Sequence, residues 1–273
     1  MSTQRGGGAR RLAATDLREM KRRGDKIAAI TAYDFLFARL VDAAGVDVVL
    51  VGDSLGHVIQ GLDTTLPVTL DDMIYHARAV RRGVERALLV VDLPFLTYQI
   101  SREDALRNAG RVLRESGASA VKLEGGSPDT CAIVRALVDA GIPVMGHLGF
   151  TPQSVNQLGV RVQAREEAAA DRLVEDAKRL EEAGAFSVVL ELVPGTVAER
   201  VTAALSIPTI GIGAGAGCDG QVLVLHDMLG LNPGFTPRFL RIFADVGQVA
   251  GDGVREYVRT VKAGEYPAAE HTF

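Results

Sequence analysis

The sequence has no tryptophan, only 5% aromatic residues and two cysteines. Cys131 and Cys218 lie far apart and fit no metal-ligand or redox spacing, so they read as free thiols in a reducing compartment. Basic residues do not outnumber acidic ones: the formal net charge is −4 and the isoelectric point is about 5.8. There is therefore no basic surplus to neutralise phosphates, which argues against a nucleic-acid partner. No run of about 18 apolar residues occurs, so no membrane-spanning helix is expected. The start, MSTQRGGGARRLAATDL, lacks the apolar core of a signal peptide. Arg-rich, acid-poor leaders share some of its features, yet glycines in a row make a poor amphipathic helix. A cytoplasmic protein is expected, with small molecules or copies of itself as partners.

What is present is 273 residues, 47% of them hydrophobic, with 30 glycines, enough for a large core with many tight turns. After a tip (1–14) expected to be flexible, TDLREMKRRG predicts a short helix with Thr15 as N-cap and Gly24 as stop. Strands are predicted at 26–32, 46–52, 87–93, 119–125, 142–148, 186–192, 207–213 and 221–227. Six segments of helical apolar spacing separate them, five ending at or near a glycine. Eight such alternations predict a closed (β/α)8 barrel of the triosephosphate-isomerase type. The region after Asp227 predicts one or two helices that close or cover it. No linker or second domain is evident, so residues 1–273 read as a single domain with an N-terminal helix and a C-terminal helical extension.

The strands share an oddity. VVLVGDSLG runs from a doubly buried strand straight into Asp53 and Ser54, LLVVDLP ends in Asp92, AVKLEGG carries Lys122 and Glu124, VMGHLG carries His147, and VVLELVP carries Glu191. Buried unpaired carboxylates are costly, so a series of them needs a common cause. Barrel chemistry sits at the C-terminal strand ends, and all these residues fall at or just past such ends.

Asp53, Asp92 and Glu124 from three adjacent strands suit a hard divalent cation such as Mg²⁺; the alternative is that each caps the turn after its strand. Lys122 shares a face with Glu124 and could hold a substrate carboxylate or form a structural ion pair. Imine chemistry ranks lower, because neighbouring carboxylates keep the amine protonated. Glu191, between Leu190 and Leu192, reads as a general base with a raised pKa, or as a partner of a barrel cation. His147 could orient substrate, relay a proton, or be satisfied by the backbone. GIGAGAGCDGQ (211–221) is a weak phosphate-loop signal, equally explained as a tight loop.

The motifs TAYD, VGDSLG, TTLPVTLDDMIYH, DLPF, VKLEGG, GHLGFTPQS, IGIGAGAGCDGQVLV and FLRIFADV, in this order from about Asp16 to Tyr266, resemble the ketopantoate hydroxymethyltransferase family. The resemblance implies Mg²⁺-dependent, aldol-type transfer of a one-carbon unit from 5,10-methylenetetrahydrofolate to 3-methyl-2-oxobutanoate. The products would be 2-dehydropantoate and tetrahydrofolate, in pantothenate biosynthesis. It further implies metal-binding acids at Asp53, Asp92 and Glu124, keto-acid contacts at Asp53, Ser54, Asp92 and Lys122, a proton acceptor at Glu191, and a homo-oligomer, often a decamer. VRVQAR (160–165) departs from the family pattern, being a residue shorter and having Ala164 where a glycine is usual. Two other classes compete. A barrel resembling phosphoenolpyruvate mutase or isocitrate lyase would carry a reactive cysteine in a KKCGH-like loop, which is missing here, and a non-catalytic scaffold would have no reason to gather acids at one rim.

Overall fold

A computed structural model describes residues 10–273. Of the tip expected to be flexible, residues 1–9 lie outside the described residues. Chain contacts divide the molecule into two compact units, one ending at Leu223 and the other spanning Val224–Phe273.

The first unit is a closed barrel of eight parallel strands in sequence order. The strands are β1 (Ile27–Thr31), β2 (Val48–Val51), β3 (Leu88–Asp92), β4 (Ala120–Glu124), β5 (Val144–Gly149), β6 (Ser187–Glu191), β7 (Thr209–Ile212) and β8 (Gly220–Leu223). Around them lie α1 (Ala14–Arg23), α2 (Phe35–Ala43), α3 (Leu55–Val58), α4 (Leu70–Gly83), α5 (Arg102–Ser116), α6 (Pro128–Asp139), α7 (Val155–Leu158), α8 (Glu167–Glu182) and α9 (Gly195–Ala204), with a 3₁₀ turn at Pro152–Ser154. β1 pairs with β8 from Ile27 opposite Gly220, which closes the ring. Ile27, Val48, Leu50, Leu88, Val90, Ala120, Met145, Val189, Ile210 and Val222 form one buried cluster, joined by Leu17 of α1. Each such side chain taken from water stabilises the fold by about 1.5–3 kcal/mol at most. The interior below the mouth is thus packed hydrocarbon, and polar residues at the strand ends stand on a rigid floor.

Local chemistry sets the helix ends. Thr69 Oγ1 accepts from Asp72 N (3.1 Å) while Asp72 Oδ2 accepts from Thr69 N (2.9 Å), a reciprocal cap that starts α4. At α1 the cap is not Thr15: the helix begins two residues earlier than that cap predicts, with Ala13 as N-cap, because Asp16 reaches back to accept from Ala13 N (2.7 Å). Gly24 ends it in the left-handed region as expected. Gly83 ends α4 for another reason. A Cβ there would stand 2.6 Å from Phe35 O and 2.8 Å from Arg39 N, so the glycine lets α4 and α2 approach backbone to backbone.

The eighth strand is shorter than predicted, stopping at Leu223. In the second unit, Leu225–Met228 forms the helical turn α10, so His226 and Asp227 are helical. A single long helix, α11 (Val246–Ala263), follows, and a 3₁₀ turn spans Ala269–His271. Among the described residues, no helix is long and apolar enough to cross a membrane.

Candidate active site at the barrel mouth

The six charged or titratable residues singled out at strand ends meet at one mouth, with Ser54 beside them. β2 ends at Val51, and Gly52 and Asp53 follow. A Cβ on Gly52 would lie 2.8 Å from Ser54 Oγ and 3.3 Å from Asp92 Oδ2, so only glycine lets the chain pass this close to its neighbour. Asp53 N then donates to Asp92 Oδ2 (3.1 Å), and Tyr33 OH lies 2.8 Å from Ser54 Oγ. Strand register does the rest: Asp92 stands opposite Lys122 and Glu124 opposite His147, while Glu191 closes β6 opposite Gly149. Asp53, Asp92, Lys122, Glu124 and His147 are all buried, 2 to 6% exposed.

Lys122 Nζ donates to Asp92 Oδ1 at 2.6 Å, so the structural ion pair weighed as an alternative is present. Burial opposes the charge on Lys122, but Asp92, Glu124 and Asp53 outweigh it and hold the amine protonated far above neutral pH. That state is non-nucleophilic, which disfavours imine chemistry.

His147 lies between two acids, Nδ1 3.3 Å from Glu124 Oε1 and Nε2 3.3 Å from Glu191 Oε2. Neither ring nitrogen meets hydrogen-bond geometry, so these are close ion-pair approaches. Burial and Lys122 oppose its protonation, yet Glu124 and Glu191 lift its pKa to about 9. His147 is therefore a cation at neutral pH with acidic neighbours, not a histidine satisfied by the backbone. Glu191 differs from expectation too. Leu190 is fully buried on the opposite face of the strand, so the glutamate side chain meets His147 and the mouth instead of an apolar pocket.

The acids outnumber the cations here. Burial first, then Asp92 and Glu124, push the Asp53 carboxyl well above the ordinary carboxylate range. Among the described residues, no three histidine, cysteine, aspartate or glutamate side chains already converge as a metal cage. Each acid is turned toward an internal partner: Asp92 to Lys122, Glu124 Oε2 to Gln153 N (3.0 Å), and Asp53 Oδ2 to Gln153 Nε2 (2.8 Å).

Comparison with known proteins follows the same lines. The family model described as "Ketopantoate hydroxymethyltransferase" matches residues 11–269. A 3-methyl-2-oxobutanoate hydroxymethyltransferase of Nitratidesulfovibrio vulgaris is 58% identical, over 98% of this chain and 87% of that relative. One from Syntrophus aciditrophicus is 54% identical over 100% of both chains. The chain belongs to the ketopantoate hydroxymethyltransferase family. It is therefore a transferase enzyme. Among solved structures, a 2,3-dimethylmalate lyase of the PEP mutase/isocitrate lyase superfamily superposes with a TM-score of 0.59 at 18% identity, covering 95% of this chain and 91% of that one. At that identity the likeness is one of fold.

The loop VRVQAR (160–165) is special in conformation. Ala164 has φ 53°, a left-handed value that glycine adopts without strain and alanine does not. The loop is tied to the site, since Gln163 N donates to Leu192 O (2.8 Å) directly after Glu191, and Leu192 itself has φ 48°. The glycine-rich stretch before β8 behaves as a tight loop, with Gln221 Nε2 donating to Gly215 O (2.9 Å).

Reading charges alone missed Gln153 and Tyr98. Gln153, in GFTPQS after β5, and Tyr98, after DLPF, are buried in the network, with Tyr98 OH 3.1 Å from Gln153 Oε1 and accepting from Glu124 N (3.1 Å). The available signal was their place in loops that follow barrel strands.

Proposed function

We propose that this chain transfers a one-carbon unit from 5,10-methylenetetrahydrofolate to 3-methyl-2-oxobutanoate, with water supplying the hydroxyl, giving 2-dehydropantoate and tetrahydrofolate in pantothenate biosynthesis, with Mg²⁺ as the metal. Family membership supports the reaction. The observation that carries the site assignment is the buried mouth itself, where Asp53, Asp92 and Glu124 crowd together and Glu191 lies within His147's reach.

The donor set fits the metal in chemistry. Asp53, Asp92 and Glu124 are hard oxygen donors, and burial together with Asp92 and Glu124 makes the charged form of Asp53 costly in a mouth where Lys122 and His147 are already engaged, a cost that a cation would relieve. These three residues would hold Mg²⁺, which when bound supplies electron withdrawal from the 2-oxo group.

The chain's own groups account for the rest. Lys122, protonated and with hydrogens beyond the one given to Asp92, offers a charge-assisted contact to the keto-acid carboxylate. Ser54, held by Tyr33, offers a hydroxyl beside it. Glu191, partly exposed at the rim, takes the C3 proton, with the imidazolium of His147 keeping its carboxylate oriented. Holding the keto acid in register this way removes wasted motion from a two-substrate reaction. The folate would approach from the open side, where the loop of Gln163 and Ala164 adjoins Glu191. We read the chain as a cytoplasmic homo-oligomer, as the family pattern implies. Leu36 and Leu40 of α2 and Tyr75 of α4, all more than half exposed, provide apolar surface that a second copy would cover.

The test is product analysis by mass spectrometry. 2-Dehydropantoate should form only when the keto acid, 5,10-methylenetetrahydrofolate and Mg²⁺ are all present. Cleavage of a 2-oxo acid without folate would favour the lyase reading instead.

A further inference from the structure

Every polar atom of the Gln153 side chain is engaged. Nε2 donates to Asp53 Oδ2 (2.8 Å) and to Leu93 O (3.0 Å), while Oε1 lies 3.1 Å from Tyr98 OH and 3.2 Å from Gln99 Nε2. Its backbone N donates to Glu124 Oε2 (3.0 Å). One residue from the turn after β5 therefore ties together Asp53 after β2, the chain just past β3, and Glu124 on β4. The amide has one sensible orientation. Turned over, its oxygen would face a carboxylate and a carbonyl, two acceptors, and its nitrogen would face the Tyr98 and Gln99 donors.

We propose that Gln153 is a positioning residue that aims the Asp53 and Glu124 carboxylates for a divalent cation. The inference rests on the metal-binding reading above. Three buried acids in one mouth repel one another, and a carboxylate free to rotate would turn toward whatever donor or solvent it could reach. Gln153 fixes Asp53 with a side-chain donor and Glu124 with a backbone donor, so neither spends the cation's binding energy on being ordered. Glutamate at this position could not do the same, having no N–H to give. Because the Glu124 contact comes from the backbone, a side-chain substitution acts mainly on Asp53. Tyr98, whose hydroxyl holds the amide oxygen, extends the clamp by one step.

The opposite consequence is physically open: the amide could mask Asp53 Oδ2, so that removing it would tighten metal binding. Mn²⁺ titration followed by electron paramagnetic resonance separates the two on wild type, Gln153→Met and Tyr98→Phe, with thermal melts as the check on folding. We expect the Mn²⁺ Kd of Gln153→Met to rise about 10- to 100-fold. The metal concentration for half-maximal C3 deuterium exchange of 3-methyl-2-oxobutanoate should rise in parallel, with much of the rate restored at saturating metal. A merely structural role would lower the melting temperature without moving that metal requirement. Tyr98→Phe should shift the Kd in the same direction by less, and it carries the test alone if Gln153→Met fails to fold. An equal or tighter Kd in the folded variant overturns the role of Gln153 and leaves the metal reading standing, whereas a wild type that binds no Mn²⁺ overturns both.

Discussion

The two ends of the barrel treat charge differently. At the N-terminal end of the strands, Lys21 Nζ pairs with Asp219 Oδ2 (2.9 Å) and donates to Thr202 O (2.9 Å) and Ile207 O (3.0 Å). There too, Asp47 pairs with Arg86 (2.8 Å) while accepting from Ala28 N (3.0 Å), and Lys26 Nζ reaches Cys218 O (2.6 Å). Each charge at that end has its counter-charge or its carbonyls. At the C-terminal mouth, Asp53, Asp92, Glu124 and Glu191 share Lys122 and His147 as their cations, and burial together with Asp92 and Glu124 lifts the Asp53 pKa. One end is built to close the barrel; the other keeps a charge imbalance that a ligand can relieve.

The sharpest way to separate the ends is to remove the acid whose role is chemical. Glu191→Gln keeps size and much of the hydrogen bonding but cannot accept a proton. C3 exchange and product formation should fall together by about 10²- to 10⁴-fold with the melting temperature little changed. Wild-type exchange without product would move Glu191 to the carbon-transfer step.

Stability should respond with opposite signs at the two ends. Lys21→Met takes the cation from Asp219, which keeps Thr209 N, and the donor from two carbonyls, so chemical denaturation should show a loss of about 2 kcal/mol, less than for a fully buried pair because both side chains keep some exposure. Activity of the folded fraction should persist. Asp53→Asn replaces a carboxyl that folding drives to take up a proton, so the metal-free protein should be as stable as wild type or more so, while Mg²⁺ binding and turnover are lost. Equal destabilisation by both variants would erase the contrast.

A smaller effect should appear in the pH dependence of the metal-free protein. The Asp53 pKa is raised on folding, so the folded state holds its proton where the unfolded chain has lost it, and stability falls as pH climbs out of the acidic range. His147 is also raised, so its contribution is complete below its ordinary value of 6.5 and is lost as pH rises through about 9. Both terms have the same sign. Melts in EDTA should therefore give a lower melting temperature at pH 9 than at pH 6.5, and Mg²⁺ should narrow the gap. A flat profile would show that the mouth is not charge-crowded.

The legible parts of the molecule were those where one signal had one cause. Long apolar β-branched runs located all eight strands, and acids at their ends located the mouth. The predicted β8 runs too long because VLVLHD stays apolar through Leu225, which is buried from a helical turn, and a short apolar run does not distinguish strand from helix. Asp16 caps α1 by reaching back to a backbone N–H, so the N-cap is Ala13, two residues before Thr15. Gln153 escaped because a neutral side chain in a loop gives no charge signal. Spacing along one strand does not say what the next strand places opposite, so the sequence leaves the partners of Lys122 and Glu191 open. Only the backbone shows that Ala164 occupies a left-handed position. Ala164→Gly should consequently stabilise the protein by no more than about 1 kcal/mol, the relief of strain being partly offset by the greater freedom of the unfolded glycine. A loss of stability on thermal melting would mean that the loop is not strained there.

The central claim, that the mouth holds a keto acid and a divalent cation beside a proton acceptor, is tested most directly by C3 deuterium exchange of 3-methyl-2-oxobutanoate in D₂O with folate omitted. Wild type should exchange with Mg²⁺ present and lose most of that rate in EDTA, and Glu191→Gln should not exchange in either condition. Exchange at the wild-type rate in EDTA, or in Glu191→Gln, would contradict it.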